Sequence, residues 1–434
     1  MIAELRTYKI EELDEESLRA INEPEVIAQL EKYLAEYEGC FSKLQARYFQ
    51  GFEKGILSQL ERKSLEPIAL HYMGERQVRG LQQFFSRSRG WDEGLQESYQ
   101  KQLAEQLADD EGFMSLDESC FIKKGDASAG VGRQYCGRLG KIDNCQSGVF
   151  TSYASQKGYG LLNARLYLPQ DWFGEGHAER RKQCQIPEGI SFRTKNDIAR
   201  EMVAEVMQQG RFPVKYLGCD AAFGSDHGFL DALPGGLTYF AAVRESEHIF
   251  VTMPEVTVPQ NLPGKRGGRF KHPRASFGPV SVKTIASDDS TPWTRVILAE
   301  GTKGPIVTEV KGIRCYSARK VNQHLLPHEE IWLYIRRYDD GKTRYFLSNA
   351  PSDTDIDLLN RLATMRWSIE QCFEECKSYL GMTNYETRSY AAWHRHMLLV
   401  MVAHLFTIVF RNILKKRKFI SQCLWQNVSS QLVC

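Results

Sequence analysis

Three strand-like runs follow one another between residues 113 and 168 before any helix intervenes, and that order restricts the fold more than any other feature of the chain. Residues 113–116 form a short apolar run that leads into Asp117. Residues 144–155 (NCQSGVFTSYAS) have strand character, and 161–168 (LLNARLYL) alternate apolar and polar positions in the manner of a half-buried strand. Residues 196–207 then predict a helix with Asn196 or Asp197 as its N-cap, and 214–219 predict a strand that runs straight into Asp220. A Gly-bearing turn over 223–226, a short helix over 227–233 and a strand over 237–243 complete the order βββαβαβ. This is an α/β pattern, and in a sheet where strand four lies beside strand one, Asp117 and Asp220 become neighbours.

The flanks read differently. Residues 27–49 and 55–60 carry apolar residues at helical spacing, so the first hundred or so predict helices. Within 75–90, Arg76, Arg79, Arg87 and Arg89 interleave with Phe84 and Phe85; such a helix either grips DNA phosphates or is a basic surface helix over a buried Phe pair. Residues 91–93 close this region in a turn-like stretch. Between 244 and 350, β-type segments at 281–285, 295–298, 331–335 and 344–347 are separated by prolines and glycines, and residues 264–274 (GKRGGRFKHPR) hold five cations and no acid. That loop, with Lys265, Arg266, Arg269 and Lys271, suits a phosphate backbone or is a solvated loop. The boundaries expected are a helical domain over 1–110, a first core part over 111–244, a β-rich insertion over 245–350, a last core part over 351–412 and a basic tail over 413–434.

Residues 351–355 (PSDTD) give a stop and then an N-cap at Ser352 or Asp353. On the helix expected over 361–380, Ile369, Cys372, Phe373, Cys376 and Leu380 fall on one side, while Arg366, Glu370 and Lys377 project from an adjacent one. A carboxylate between two cations is thereby held on a rigid element. Glu374 competes with Glu370, Asp226 with Asp220, and Asp126 and Asp143 with Asp117; spacing and position at strand ends favour Asp117, Asp220 and Glu370, and Glu118 should point away from Asp117.

Three carboxylates drawn together repel one another unless a divalent cation neutralises them. Oxygen donors without His or Cys favour Mg2+ or Mn2+ over Zn2+. Two such ions activate a water or a 3′-hydroxyl and stabilise the leaving oxygen of an in-line displacement at phosphorus. Arg366 and Lys377 would steady the phosphates or the developing charge. Composition narrows the rest. With 434 residues the chain supports two to four domains or one core with insertions, and 56 basic against 54 acidic residues confine any DNA surface to a local patch. Eleven cysteines without a Cys-x2-Cys pair argue against a zinc ribbon and suit reduced thiols in a cytosol. His394 and His396 lack cysteine partners at metal-site spacing. No secretory leader opens the chain, the apolar run 397–410 is short for a membrane span, and no Gly-x4-Gly-Lys-Ser/Thr signals a nucleotide cofactor.

On these residues the chain resembles bacterial insertion-sequence transposases of the DDE superfamily, in the branch marked by Tyr-x2-Arg-x3-Glu-x6-Lys. Arg366, Glu370 and Lys377 match the last three signature positions, and Ala363 stands where the tyrosine would be. Further similarity lies in LDESCFIKKG around Asp117, residues 130–146, RLYLP at 165–169, CDAAFG around Asp220, YFLSNAP at 345–351 and YETRSYAAWHRH before the last helix. The resemblance implies a ribonuclease-H-like (retroviral-integrase-like) catalytic core with a β-rich insertion, preceded by a helical N-terminal domain that binds DNA ends. It implies Asp117, Asp220 and Glu370 as catalytic Mg2+ (or Mn2+) ligands. It further implies cutting at terminal inverted repeats, joining of 3′ ends to target DNA, passage through a hairpin with Trp367 holding an unstacked base, and a homodimer on DNA in the cytoplasm at the nucleoid, with no membrane partner. A catalytically silent DNA-binding regulator descended from a transposase and a metal-dependent nuclease without strand transfer are the alternatives.

Overall fold

A computed structural model describes residues 23–137, 139–259, 271–301, 304–338 and 341–431, with side chains described over 25–297 and 307–414 within them. In chain order come the helices α1 (Glu23–Ala35), α2 (Lys43–Leu57), α3 (Leu65–Tyr72), α4 (Val78–Ser86) and α5 (Asp92–Leu107). The strands β1 (Phe113–Ile122), β2 (Gly132–Cys136), β3 (Lys141–Ser155) and β4 (Gly158–Tyr167) follow, then α6 (Ala178–Gln183), α7 (Lys195–Gln209), β5 (Tyr216–Cys219), α8 (Ala221–Gly224), α9 (His227–Asp231) and β6 (Thr238–Val243). The remainder is β7 (His248–Phe250), β8 (Val256–Thr257), β9 (Arg274–Ala275), β10 (Val280–Ser281), α10 (Val282–Ala286), β11 (Thr294–Gly301), β12 (Gly304–Val321), β13 (His324–Arg337), β14 (Thr343–Ser348), α11 (Ile356–Met365), α12 (Ser368–Ser378) and α13 (Tyr390–Gln431).

The chain divides into two compact units. One comprises residues 113–115 and 214–367 of the described chain and is sheet-rich; the other comprises 23–112, 116–213 and 368–431 and holds most of the helices. In the sheet-rich unit the strands run β10-β7-β12-β13-β14-β6-β5 and end at the first residues of β1, with β11 paired to β12. β5 and β6 are parallel, whereas β6, β14, β13 and β12 pair antiparallel. The β12–β13 hairpin turns at Asn322 and Gln323, both with positive φ (46° and 70°), the geometry whose twist matches that of the flanking strands. In the helix-rich unit the rest of β1 neighbours β3, which carries β2 on its first half and β4 on its second. β3 is buried without interruption from Cys145 to Ser155, as a central strand covered on both faces must be.

The core of the helix-rich unit forms around α13. Leu399, Val400, Val402 and Ala403 are fully buried, and α1, α2, α4, α5, α12 and β4 pack against this helix. Residues Tyr390–Leu414 are long and apolar enough to cross a bilayer by composition, yet 61% of that apolar window is buried in protein, as expected of a core helix. Phe84 stacks on Trp91 at 4.6 Å and 6°, so the Phe pair of α4 is core, and Arg76, Arg79, Arg87 and Arg89 are exposed.

Several local expectations need correction. The helix expected over 361–380 is two helices: Trp367 N–H bonds Thr364 O at 3.1 Å, an i to i−3 bond that tightens and ends α11, and α12 begins at Ser368. β1 continues through Asp117 instead of stopping before it. α7 is capped by Thr194 in a capping box with Asp197, not by Asn196 or Asp197, because a threonine hydroxyl three residues before a carboxylate satisfies two orphan amides reciprocally. Asp355, not Ser352 or Asp353, caps α11. Most of the 281–285 segment is the helix α10, started by the Ser281 hydroxyl accepting from Thr284 N–H.

Candidate active site

Asp220 stands at the end of β5. Its Oδ1 accepts the backbone N–H groups of Ala222 (3.0 Å) and Phe223 (3.3 Å), which makes it the N-cap of the short α8 and fixes its rotamer. Two residues earlier, Gly218 is required by crowding: a Cβ there would sit 2.5 Å from Phe113 Cζ and 2.9 Å from Arg366 Cγ. The first residue of β1, the middle of β5 and the stem of Arg366 therefore meet at one point of the sheet-rich unit. A long hydrogen bond from Ser115 Oγ to the Arg366 carbonyl (3.5 Å) lies at the same place. Arg366 is the residue after α11, and Trp367 beside it is half exposed (50%), so it is not the core aromatic that an apolar residue in this stretch would suggest. Ala363, at the signature tyrosine position, is buried in the packing of α11.

Asp117 and Glu370 belong to the helix-rich unit. Asp117 is half-buried on β1, with Oδ1 accepting from Glu118 N–H at 2.7 Å. Its neighbour Glu118 is occupied by an ion pair with Lys195 of α7. Glu370 lies in the first turn of α12, where unpaired backbone N–H groups favour a carboxylate, while Glu374 is exposed. Lys377 reaches over the Phe373 ring at 5.0 Å. Because α12 starts at Ser368, Arg366 does not share a helix with Glu370 and Lys377; the spacing was read correctly, but the single helix was not.

The competing acids have structural partners. Asp226 caps α9 through Phe229 N–H (3.1 Å), Asp126 pairs with Arg180, and Asp143 pairs with Lys141 (3.4 Å). The Asn144 N–H bond together with Lys141 holds the Asp143 carboxyl below its usual range. Gln134 donates to the carbonyls of Gly130 and Cys145, and Asn144 donates to those of Lys123 and Gly125. Gln146 donates to Ala129 O and accepts from Tyr385 OH. These three side chains of the 130–146 stretch tie the first hairpin together. His396 is buried and His394 half-buried, and desolvation pushes both down to about 4, so both are neutral. Lys265, Arg266 and Arg269 lie outside the described residues; Lys271 is exposed.

Two clusters escaped the sequence. Asp231, His328 and Glu329 bring ligand atoms within 4.8 Å of one another in the sheet-rich unit, exposed, with Arg319 at 2.9 Å from Asp231 and 3.7 Å from Glu329 supplying the opposite charge. Cys120, Cys136 and Cys145 bring their sulfurs equally close in the helix-rich unit. Asp231 ends α9 while His328 and Glu329 lie on β13, and the three cysteines lie on three strands, so no spacing rule finds either cluster.

A family model described as DDE superfamily endonuclease matches residues 36–305, a span that holds Asp117 and Asp220 and ends before Glu370. A protein of Microchaete diplosiphon named "Probable transposase for insertion sequence element IS701" is 28% identical over 236 residues, covering 52% of this chain and 58% of that protein. The chain thus spans less than two thirds of that relative's length. The NurA nuclease from Sulfolobus solfataricus aligns with 75% of this chain and 92% of its own at 9% identity and a TM-score of 0.24, too low to speak to the fold.

Proposed function

The chain belongs to the DDE superfamily endonucleases, and from that premise we propose that it is an insertion-sequence transposase that cuts phosphodiester bonds at terminal inverted repeats and joins the 3′ ends to target DNA. Asp117, Asp220 and Glu370 are the proposed catalytic carboxylates and Mg2+ (or Mn2+) ligands. The observation that supports this grouping is the crowding of Phe113, Gly218 and Arg366 within one unit. Asp117 follows Ser115 by two strand residues, about 7 Å of chain; Asp220 follows Gly218 by two residues, and Glu370 follows Arg366 by four, about one helical turn.

The donor set fits a hard divalent cation, being carboxylate oxygen throughout. When bound, a pair of such ions supplies Lewis acidity to the attacking and leaving oxygens. The chain's own part is positional. Asp220 is fixed by two amide N–H bonds, Glu370 is favoured by the start of α12, and Arg366 is set by Ser115 and Gly218 to meet a phosphate. Lys377, Lys271 and the Lys265, Arg266 and Arg269 loop would contact the DNA backbone, which predicts binding that weakens steeply with salt. The neighbours β4-β3-β1 and β1-β5-β6 support the reading of a ribonuclease-H-like core. β7 to β13 form the β-rich insertion in this reading, and the helices before β1 form a domain for binding DNA ends, the whole acting as a homodimer at the nucleoid.

Half-exposed Trp367 suits an unstacked base in a hairpin intermediate. Trp367→Ala should spare first-strand nicking and impair hairpin formation; equal loss of both steps in a gel assay would remove that role. The reading as a whole is tested by incubating the purified protein and Mg2+ with DNA bearing the element's ends. Joined products support transposition, cuts alone point to a nuclease, and binding alone points to a silent regulator.

A further inference from the structure

Three thiols converge in the helix-rich unit from three different strands: Cys120 of β1, Cys136 at the end of β2 and Cys145 of β3. Their sulfurs all lie within 4.8 Å of one another, Cys136 and Cys145 buried and Cys120 half-buried. A zinc ion with Zn–S distances of about 2.3 Å holds its sulfurs about 3.8 Å apart, so the cluster closes on a cation through side-chain adjustments of less than about 1 Å. We propose that Cys120, Cys136 and Cys145 form a thiolate site for a thiophilic cation, Zn2+, that clamps the β2–β3 hairpin to β1.

The surroundings bear on the charge. Burial pushes the Cys145 thiol up to about 12 and raises that of Cys120, so without a cation both are protonated. Lys195 opposes the rise at both sulfurs, and its ammonium lies 5.3 Å from the centre of the Tyr167 ring. On binding, each sulfur releases its proton to solvent and takes up a bond to the ion. Three thiolates and Zn2+ carry one net negative charge, next to the Lys195–Glu118 ion pair. Cys120 is half-buried, so water would be available to complete a tetrahedral ion. The site differs in chemistry from the proposed carboxylate site, since soft sulfur selects against Mg2+.

The test uses the full-length reduced chain in excess Mg2+, with Co2+ as a spectroscopic probe. The expected result is one equivalent of Co2+ with a sulfur-to-cobalt charge-transfer band, displaced by stoichiometric Zn2+. Affinity should fall at least tenfold in Cys120→Ser and stay unchanged in Cys40→Ser, whose sulfur meets Ser98 outside the cluster. As a check that needs no variant, Zn2+ should slow alkylation of Cys120, Cys136 and Cys145 more than tenfold while leaving Cys40 unaffected, read by peptide mass spectrometry. Absence of the charge-transfer band, equal affinity in Cys120→Ser or unprotected cluster thiols would overturn the assignment.

Discussion

The two ends of α12 carry the same residue type to opposite purposes. Glu370, the carboxylate proposed as a metal ligand, sits half-buried in the first turn. Five residues on, about 140° round the helix, Glu375 accepts the Tyr159 hydroxyl at 2.5 Å and lies 2.6 Å from His404 Nε2. Burial alone would raise the Glu375 carboxyl, but the His404 and Tyr159 hydrogen bonds outweigh it and hold the group below the usual range. Between them Glu374 points to solvent. One helix thus separates a carboxylate assigned to chemistry, one consumed by the fold and one with neither task, and the separation is set by rotation about the helix axis.

That contrast is open to direct attack. Glu370→Gln should lower Mg2+-dependent cutting of end DNA by more than about 100-fold, beyond what loss of a metal site's supporting hydrogen bond costs, while the urea midpoint stays put; a variant that still cuts at the wild-type rate would remove Glu370 from the site. Glu375→Ala should behave oppositely. Removing one partner of a buried pair costs about 3 kcal/mol, read from urea denaturation, with the cutting rate per folded molecule retained.

A smaller effect separates the neutral histidines of the same unit. A base whose folded pKa is depressed gives stability that is present above its unfolded value near 6.5 and is lost as pH falls toward the folded value of about 4. Stability should therefore drop between pH 7 and pH 5, and His396→Phe should remove about 2 kcal/mol of that drop; an unchanged pH slope would show that folding does not depress His396. Smallest of all, Glu374→Gln should change stability by less than about 0.5 kcal/mol and cutting by less than about twofold, since the exposed carboxylate has no assigned task. A large loss of cutting there would exchange the roles of Glu374 and Glu370.

Much of this was legible before any coordinates. The strand runs over 144–155 and 161–168 and the strand at 237–243 correspond to β3, β4 and β6 because alternation and β-branched content report on half-buried sheets. Helix starts were legible less well. Thr194 and Asp355 were missed because several capping residues stood in a row, and the choice among them depends on which hydroxyl or carboxylate meets an amide three residues on; Ser281 was missed because 281–285 reads as a β-type segment. The break at Arg366 was invisible because 361–380 keeps helical periodicity straight through it. What the pattern omits is the competition for the Arg366 region by Ser115 and Gly218, residues about 150 to 250 positions away.

By itself, the sequence determined the order of elements, the family to which the chain belongs, and the short list of acids from which a metal site can be drawn, because local spacing and residue type suffice for all three. Tertiary structure alone decided that Glu375 belongs to the fold, that Asp226 and Asp143 are held by partners in their own neighbourhoods, and that Cys120, Cys136 and Cys145 face one another. Those outcomes depend on which strands pair and which way a helix is turned, and pairing and rotation are settled by burial summed over the whole chain.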